Sequence, residues 1–92
     1  MPKVAKFKNY TFFVYAHDLF HEPAHVHVAK QKSERQYSAK IWLHDIQVAE
    51  IGSMTPVEVN IVLRIIKLHR NLFINFIENL KEGKSQRPIN LR

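Results

Sequence analysis

His21-Glu22-Pro23-Ala24-His25-Val26-His27-Val28 carries three of the six histidines of a 92-residue chain within seven positions. A fourth, His17, lies just upstream. Two local rules divide the stretch. Pro23 fixes its own φ and pushes Glu22 out of the helical region, so His21-Glu22-Pro23 reads as a turn. From Ala24 to Lys30 β-branched residues alternate with others, which is the pattern of a strand. Side chains on a strand alternate between faces. Val26 and Val28 therefore share one face, and His25 and His27 share the other. With the valines on a core, the two imidazoles stand side by side at the surface, roughly 6–7 Å apart at Cα. The literal pattern HExxH spans His21 to His25. Its metalloprotease meaning requires both histidines on one face of a helix. Pro23 and the strand-like run after it remove that helix, so the pattern is set aside here.

Working outward, the flanking segments also read as strands. Lys3 to Lys8 is a short one, followed by a turn at Asn9-Tyr10. Tyr10 to Ala16 (YTFFVYA) is aromatic and β-branched. Both of its faces are apolar, so periodicity does not choose which one is buried. His17 to Pro23 is a loop. Gln31 to Arg35 reads as a polar hairpin loop and Gln36 to Leu43 as the next strand. That strand puts Tyr37, Ala39, Ile41 and Leu43 on one face, and Ser38, Lys40 and Trp42 on the other. His44-Asp45 is a turn, and Ile46 to Ile51 a fifth short strand ended by Gly52-Ser53.

The C-terminal third is helical. Thr55-Pro56-Val57-Glu58 combines an N-cap Thr, Pro at the first helical position and Glu at the third, the signature of a capping box. Gly83 is a stop signal. Residues 56–82 as one helix span about 40 Å. Asn60, Arg64, Lys67, Asn71, Glu78 and Glu82 form a narrow polar stripe. The apolar remainder covers about half the circumference or more, where a surface helix needs little more than 100°. Either the helix breaks near His69–Asn71 and folds over the sheet, or its second half packs on another chain. His69 falls inside the apolar arc, where a satisfied core histidine is the ordinary outcome. Residues 84–92 read as a basic tail outside a single α+β domain of residues 1–83.

Composition sets the class. A chain of this length makes one domain, and 46% hydrophobic residues with 11% aromatics supply its core. Fourteen Lys and Arg against eight Asp and Glu give +6, which points to an anionic partner such as RNA, DNA or an acidic protein. The absence of cysteine excludes a disulfide frame, a thiolate zinc site and a cysteine nucleophile. No apolar run reaches the length of a signal peptide or membrane span. The expected location is the cytoplasm, with no membrane partner.

The string HEPAHVHV, with YTFFVYAHD before it, AKIWL after it and a Thr-Pro-x-Glu helix carrying His69-Arg70, resembles a small bacterial family. It is catalogued as a domain of unknown function, number four-one-six-zero. The resemblance runs from about Pro2 to Leu80. The family pattern H-x-P-x-H-x-H is met by His21, His25 and His27, and Trp42 and His69 also match. The resemblance implies a single-domain protein encoded beside a second small protein, as one half of a toxin–antitoxin pair. It names no reaction. The departures are the tail after Gly83 and His44-Asp45 where the family often has Glu-Pro.

Three readings of the histidines stay open. In the first, the chain is a metal-independent endoribonuclease that cleaves through the 2′-OH. Histidine suits both proton roles because it titrates near neutrality. His25 and His27 are the proton carriers, His21 an alternate and Lys40 the cation, with Arg35 binding phosphate and Trp42 or Tyr15 stacking a base. No cofactor is needed. In the second, His21, His25 and His27 form a three-histidine zinc site with an open position, Glu22 behind it. In the third, the histidines only pack and hydrogen-bond on a sheet. Arg64 and Lys67 read as a solvated helix face. The expected fold is α+β: an antiparallel sheet of four or five strands, covered on one face by a long C-terminal helix or a broken pair. The expected function is a small basic toxin–antitoxin protein acting on RNA through the histidine cluster. The alternative is a non-enzymatic module that binds nucleic acid or inhibits a partner. Expected partners are the cognate small protein of the neighbouring gene, RNA, and a second copy through the C-terminal helix. On this reading a solvent-facing His27 is replaceable by Ala for well under roughly 1 kcal/mol.

Overall fold

The alternation that sorts Val26 and Val28 from His25 and His27 builds the centre of a six-stranded sheet, in a computed structural model that describes residues 3–30 and 38–91. In chain order the elements are β1 (Lys3–Phe7), β2 (Tyr10–Phe13), a 3-10 turn (Ala16–Phe20), β3 (His25–Ala29), β4 (Ala39–Trp42), β5 (Gln47–Glu50), α1 (Pro56–Leu68), α2 (Arg70–Lys81) and β6 (Ile89–Asn90). The spatial order is β5-β4-β3-β2-β1-β6. Neighbours from β1 to β5 are antiparallel, as short connections require. The sixth strand departs from expectation. Ile89 and Asn90 pair in parallel with Ala5 and Lys6, the Leu91 amide donates to the Lys6 carbonyl at 2.8 Å, and Leu91 is buried. The segment read as a basic tail thus ends on a sheet edge, because one apolar residue beyond the strand finds the core. Arg35 and Tyr37 lie outside the described residues.

The two helices cover one face of the sheet. Val26, Val28 and Ile41 from the strands share a core with Val62 and Ile66 of α1 and Phe73 and Ile77 of α2. Phe12 meets Phe73 with ring centroids 5.2 Å apart. The structure also makes the choice that periodicity leaves open in β2. Tyr10 and Phe12 join the core under the helices, and Thr11 and Phe13 face the other way with His27. The strand ends at Phe13, where the chain turns toward the 3-10 segment.

The wide apolar arc is resolved by a break at His69, whose φ of −113° and ψ of 24° lie outside the helical well. Arg70 holds the start of α2 against the end of β4, donating from Nε to the Leu43 carbonyl at 2.7 Å and from a terminal nitrogen to the His44 carbonyl at 3.0 Å. His69 is half-buried at the joint, so it caps a helix end and does not sit in the core. Val57, Ile61 and Leu68 stay exposed on α1. At its start the Thr55 side chain accepts from the Glu58 amide and the Glu58 carboxylate accepts from the Thr55 amide, the reciprocal pair that the sequence signals. At the other end Gly83 takes φ +77°, with Gly83 N–H to the Leu80 carbonyl and Lys84 N–H to the Asn79 carbonyl, both at 3.0 Å.

Candidate functional site

Register sets the first layer of the site. His25 lies opposite Trp42, and His27 lies between Phe13 on one side and Lys40 on the other. All five side chains stand on the face away from the helices. To this extent the site follows from period-2 alternation alone.

Burial does not follow from it. His25 is 4% and His27 8% exposed, which corrects the expectation of a solvent-facing pair. Two features enclose them. The sheet neighbours are aromatic: His27 stacks on Phe13 at 5.5 Å and meets the Tyr15 edge at 4.7 Å, while Trp42 meets His25 edge-on at 5.4 Å. The 3-10 turn then folds over the strand ends. Leu19 packs against the core, and Asp18 reaches the imidazoles. Asp18 was not among the residues singled out from sequence. Its only signal there is a carboxylate beside His17 in the loop preceding the histidine strand.

The polar contacts define what the cluster can hold. His25 Nδ1 lies 2.9 Å from the Pro23 carbonyl oxygen, which can only accept, so Nδ1 carries a proton and donates. In the neutral ring, Nε2 is then a lone pair. It points at Asp18 Oδ2, 3.2 Å away. His27 Nε2 is buried without a hydrogen-bond partner among the described residues, and lies 3.6 Å from the same oxygen. His27 Nδ1 rests on the Ser38 hydroxyl at 3.4 Å. Burial works to raise the Asp18 carboxyl, but the hydrogen bonds and charges of His25 and His27 outweigh it and hold the group below its ordinary value. Burial lowers His27, helped by the neighbouring His25 and opposed by Asp18. Near neutrality the cluster is therefore a carboxylate beside a neutral His27 imidazole, the states in which these groups ligate metals.

Asp18, His25 and His27 each offer one ligand atom, and the three atoms lie within 4.8 Å of one another. Two donors bound tetrahedrally at about 2.1 Å sit roughly 3.4 Å apart, close to the 3.2 and 3.6 Å seen here. Two of the three donor separations thus match a tetrahedral divalent transition metal, and the third is at most 4.8 Å.

The other expected residues are placed as follows. His21 is exposed, and its ring contact is with His17 at 4.7 Å, so the compact ligand set contains Asp18 where the sequence suggested His21. The reason is Pro23: the turn that makes His25 the first strand residue sends His21 back along the 3-10 turn. Lys40 lies over the Trp42 ring at 4.6 Å and is ion-paired with Glu22, so its charge is already matched. Tyr15 and Trp42 flank the histidines and are each half-buried, leaving part of each ring accessible.

No helix among the described residues is long and apolar enough to cross a membrane. No curated protein and no solved structure matches the chain. The family model described as Domain of unknown function (DUF4160) matches residues 9–75, a span that holds Asp18, the whole HEPAHVHV string and the start of α2, and the chain belongs to that family.

Proposed function

We propose that this chain is a small RNA-directed hydrolase, the toxin half of a toxin–antitoxin pair, and that Asp18, His25 and His27 hold a divalent transition metal, zinc first, at its centre. The observation that carries the metal is the facing of acceptors. His25 Nδ1 serves the Pro23 carbonyl, and its Nε2, the lone-pair nitrogen of the neutral ring, looks at a carboxylate oxygen 3.2 Å away, with the orphaned His27 Nε2 beside it. Buried acceptors converge in this way when a cation or a proton belongs between them. The resemblance stated above supports the toxin–antitoxin setting, and the +6 charge supports a phosphate-bearing partner.

When bound, the ion supplies a Lewis acid and a water acidified to near neutrality. The chain's own residues orient and shield. The Pro23 carbonyl and the Ser38 hydroxyl occupy the outer nitrogens of His25 and His27 and keep both Nε2 atoms inward. Phe13, Tyr15 and Trp42 pin the rings and exclude bulk water from their faces.

A metal-free acid–base pair is the second reading. It is favoured by the same 3.2 Å contact, which lies at the long end of the range in which an imidazolium N–H donates to a carboxylate. There Asp18 orients His25 as the acid, and His27 is the base.

Cobalt(II) titration of the metal-free chain, read by visible ligand-field bands, tests the first reading. The expected result is one ion per chain, with affinity cut at least about tenfold by Asp18→Ala or His25→Ala and kept in His21→Ala. No uptake, or loss with His21→Ala alone, overturns it. Growth arrest on expression, relieved by the small protein of the neighbouring gene, tests the toxin setting.

A further inference from the structure

We infer that the open face of the sheet beside the histidines is a track for the sugar–phosphate backbone of single-stranded RNA, with Lys3, Lys6 and Lys8 as its phosphate contacts. The inference rests on the RNA-directed reading and assigns the surface that would deliver substrate to the site. The register lays it out. Lys3 lies opposite Phe13, Phe13 opposite His27, and His27 opposite Lys40, so one row of side chains crosses four strands on the face away from the helices. The next row is Lys6, Thr11 and Ala29. At about 4.8 Å per strand, Lys3 stands roughly 10 Å from His27 at Cα. Lys3, Lys6, Lys8, Asn9, Thr11 and Ala29 line a shallow groove in this face. Small Thr11 and Ala29 form its floor, and the exposed lysines its wall.

Among the described residues, these lysines lack the carboxylate partners that four others have. Lys30, Lys40, Lys81 and Lys84 each lie within ion-pair distance of a glutamate. No carboxylate among the described residues lies within that distance of Lys3, Lys6 or Lys8, and Lys8 has only the Phe7 ring, 5.4 Å away. Three ammonium groups without an ion pair among the described residues, lining one groove, repel one another and gain from a polyanion. Beside this row stand half-buried Tyr15, against His27, and Trp42, opposite His25, aromatic side chains on which an unpaired base can stack. A duplex keeps its bases stacked inside, so the single strand is the form that uses both features.

Fluorescence anisotropy with a labelled single-stranded uridine oligomer is the test, run on the full chain with chelator so that cleavage does not interfere. Wild type is compared with a Lys3→Gln, Lys6→Gln, Lys8→Gln triple variant and with Lys81→Gln, Lys84→Gln as the control. Each phosphate contact on a single strand contributes about 0.7 to the log–log salt slope, so the triple variant loses about 2 from that slope and at least tenfold in affinity at low salt. The control keeps both. Equal losses in the control, an unchanged slope in the triple variant, or competition by polyglutamate as effective as by unlabelled RNA overturns the track, the last in favour of an acidic protein. Cobalt uptake, measured separately on the triple variant, is retained whether or not RNA binds. Failure of the track is thereby told apart from failure of the metal centre.

Discussion

Replacing His27 by alanine exposes how enclosed the centre is. On an open sheet the change costs well under roughly 1 kcal/mol. In the structure His27 is 8% exposed, stacked on Phe13 at 5.5 Å and edge-on to Tyr15 at 4.7 Å. Two aromatic contacts at about 0.5–1.5 kcal/mol each are lost. The void left where the imidazole was adds about 1–2 kcal/mol. Against this, truncation removes the unpartnered Nε2, whose burial costs about 1–3 kcal/mol. At the middle of these ranges the net is a loss of about 1.5 kcal/mol, a fall in thermal midpoint of roughly 6–12 °C for a domain this size. His27→Leu fills the void and removes the same orphan, so its stability stays within about 1 kcal/mol of wild type. Both variants lose metal uptake and any activity. The assay is denaturant and thermal unfolding by circular dichroism, in chelator, for all three proteins. If His27→Ala melts with wild type, the ring stands in water and the enclosed centre is wrong. If His27→Leu, which keeps the volume and removes only the nitrogens, falls well below wild type, the orphaned nitrogen is not a cost, and the argument from facing acceptors loses its base.

Other outcomes follow from single features. RNA cleavage that stops on chelation and returns with zinc identifies the metal centre, whereas cleavage that survives chelation assigns proton transfer to His25 and His27. If His25→Ala, His27→Ala and Asp18→Ala all leave the biological effect intact, the chain is a binding module. The Glu58 carboxyl is held below its ordinary value by its ion pair with Lys30, at 2.8 Å, and by the Thr55 amide. A carboxyl lowered in the fold stabilises above its unfolded value and stops doing so as pH falls through the folded one. The stability gap between wild type and Glu58→Gln is therefore widest near neutral pH and closes in acid, as unfolding at a series of pH values reads directly. Gly83→Ala places a Cβ where nothing lies within 4 Å but keeps φ at +77°. Strain alone costs about 1 kcal/mol, visible as a lowered midpoint with unchanged metal uptake.

What sequence alone determined was whatever rests on spacings of a few residues. Alternation put Val26 and Val28 in the core and His25 with His27 on the opposite face. Pro23 ruled out the HExxH helix. The Thr55–Glu58 pair and Gly83 fixed the ends of the helical segment, and the width of its apolar arc required a break or a partner. These features are encoded by backbone sterics and periodicity, which act locally. Tertiary structure decided the rest. Both faces of Tyr10 to Tyr15 are apolar, so only packing under the helices selected Tyr10 and Phe12. Leu91 carries no pattern, and its strand forms because a sheet edge at Ala5 and Lys6 is there to receive it. Asp18 is the plainest case. It sits seven residues before His25, on a 3-10 turn with no period that relates the two. Its approach to the imidazoles is set by how that turn packs between the sheet end and α2. Packing of that kind joins segments through space, so no reading of neighbouring residues reports it.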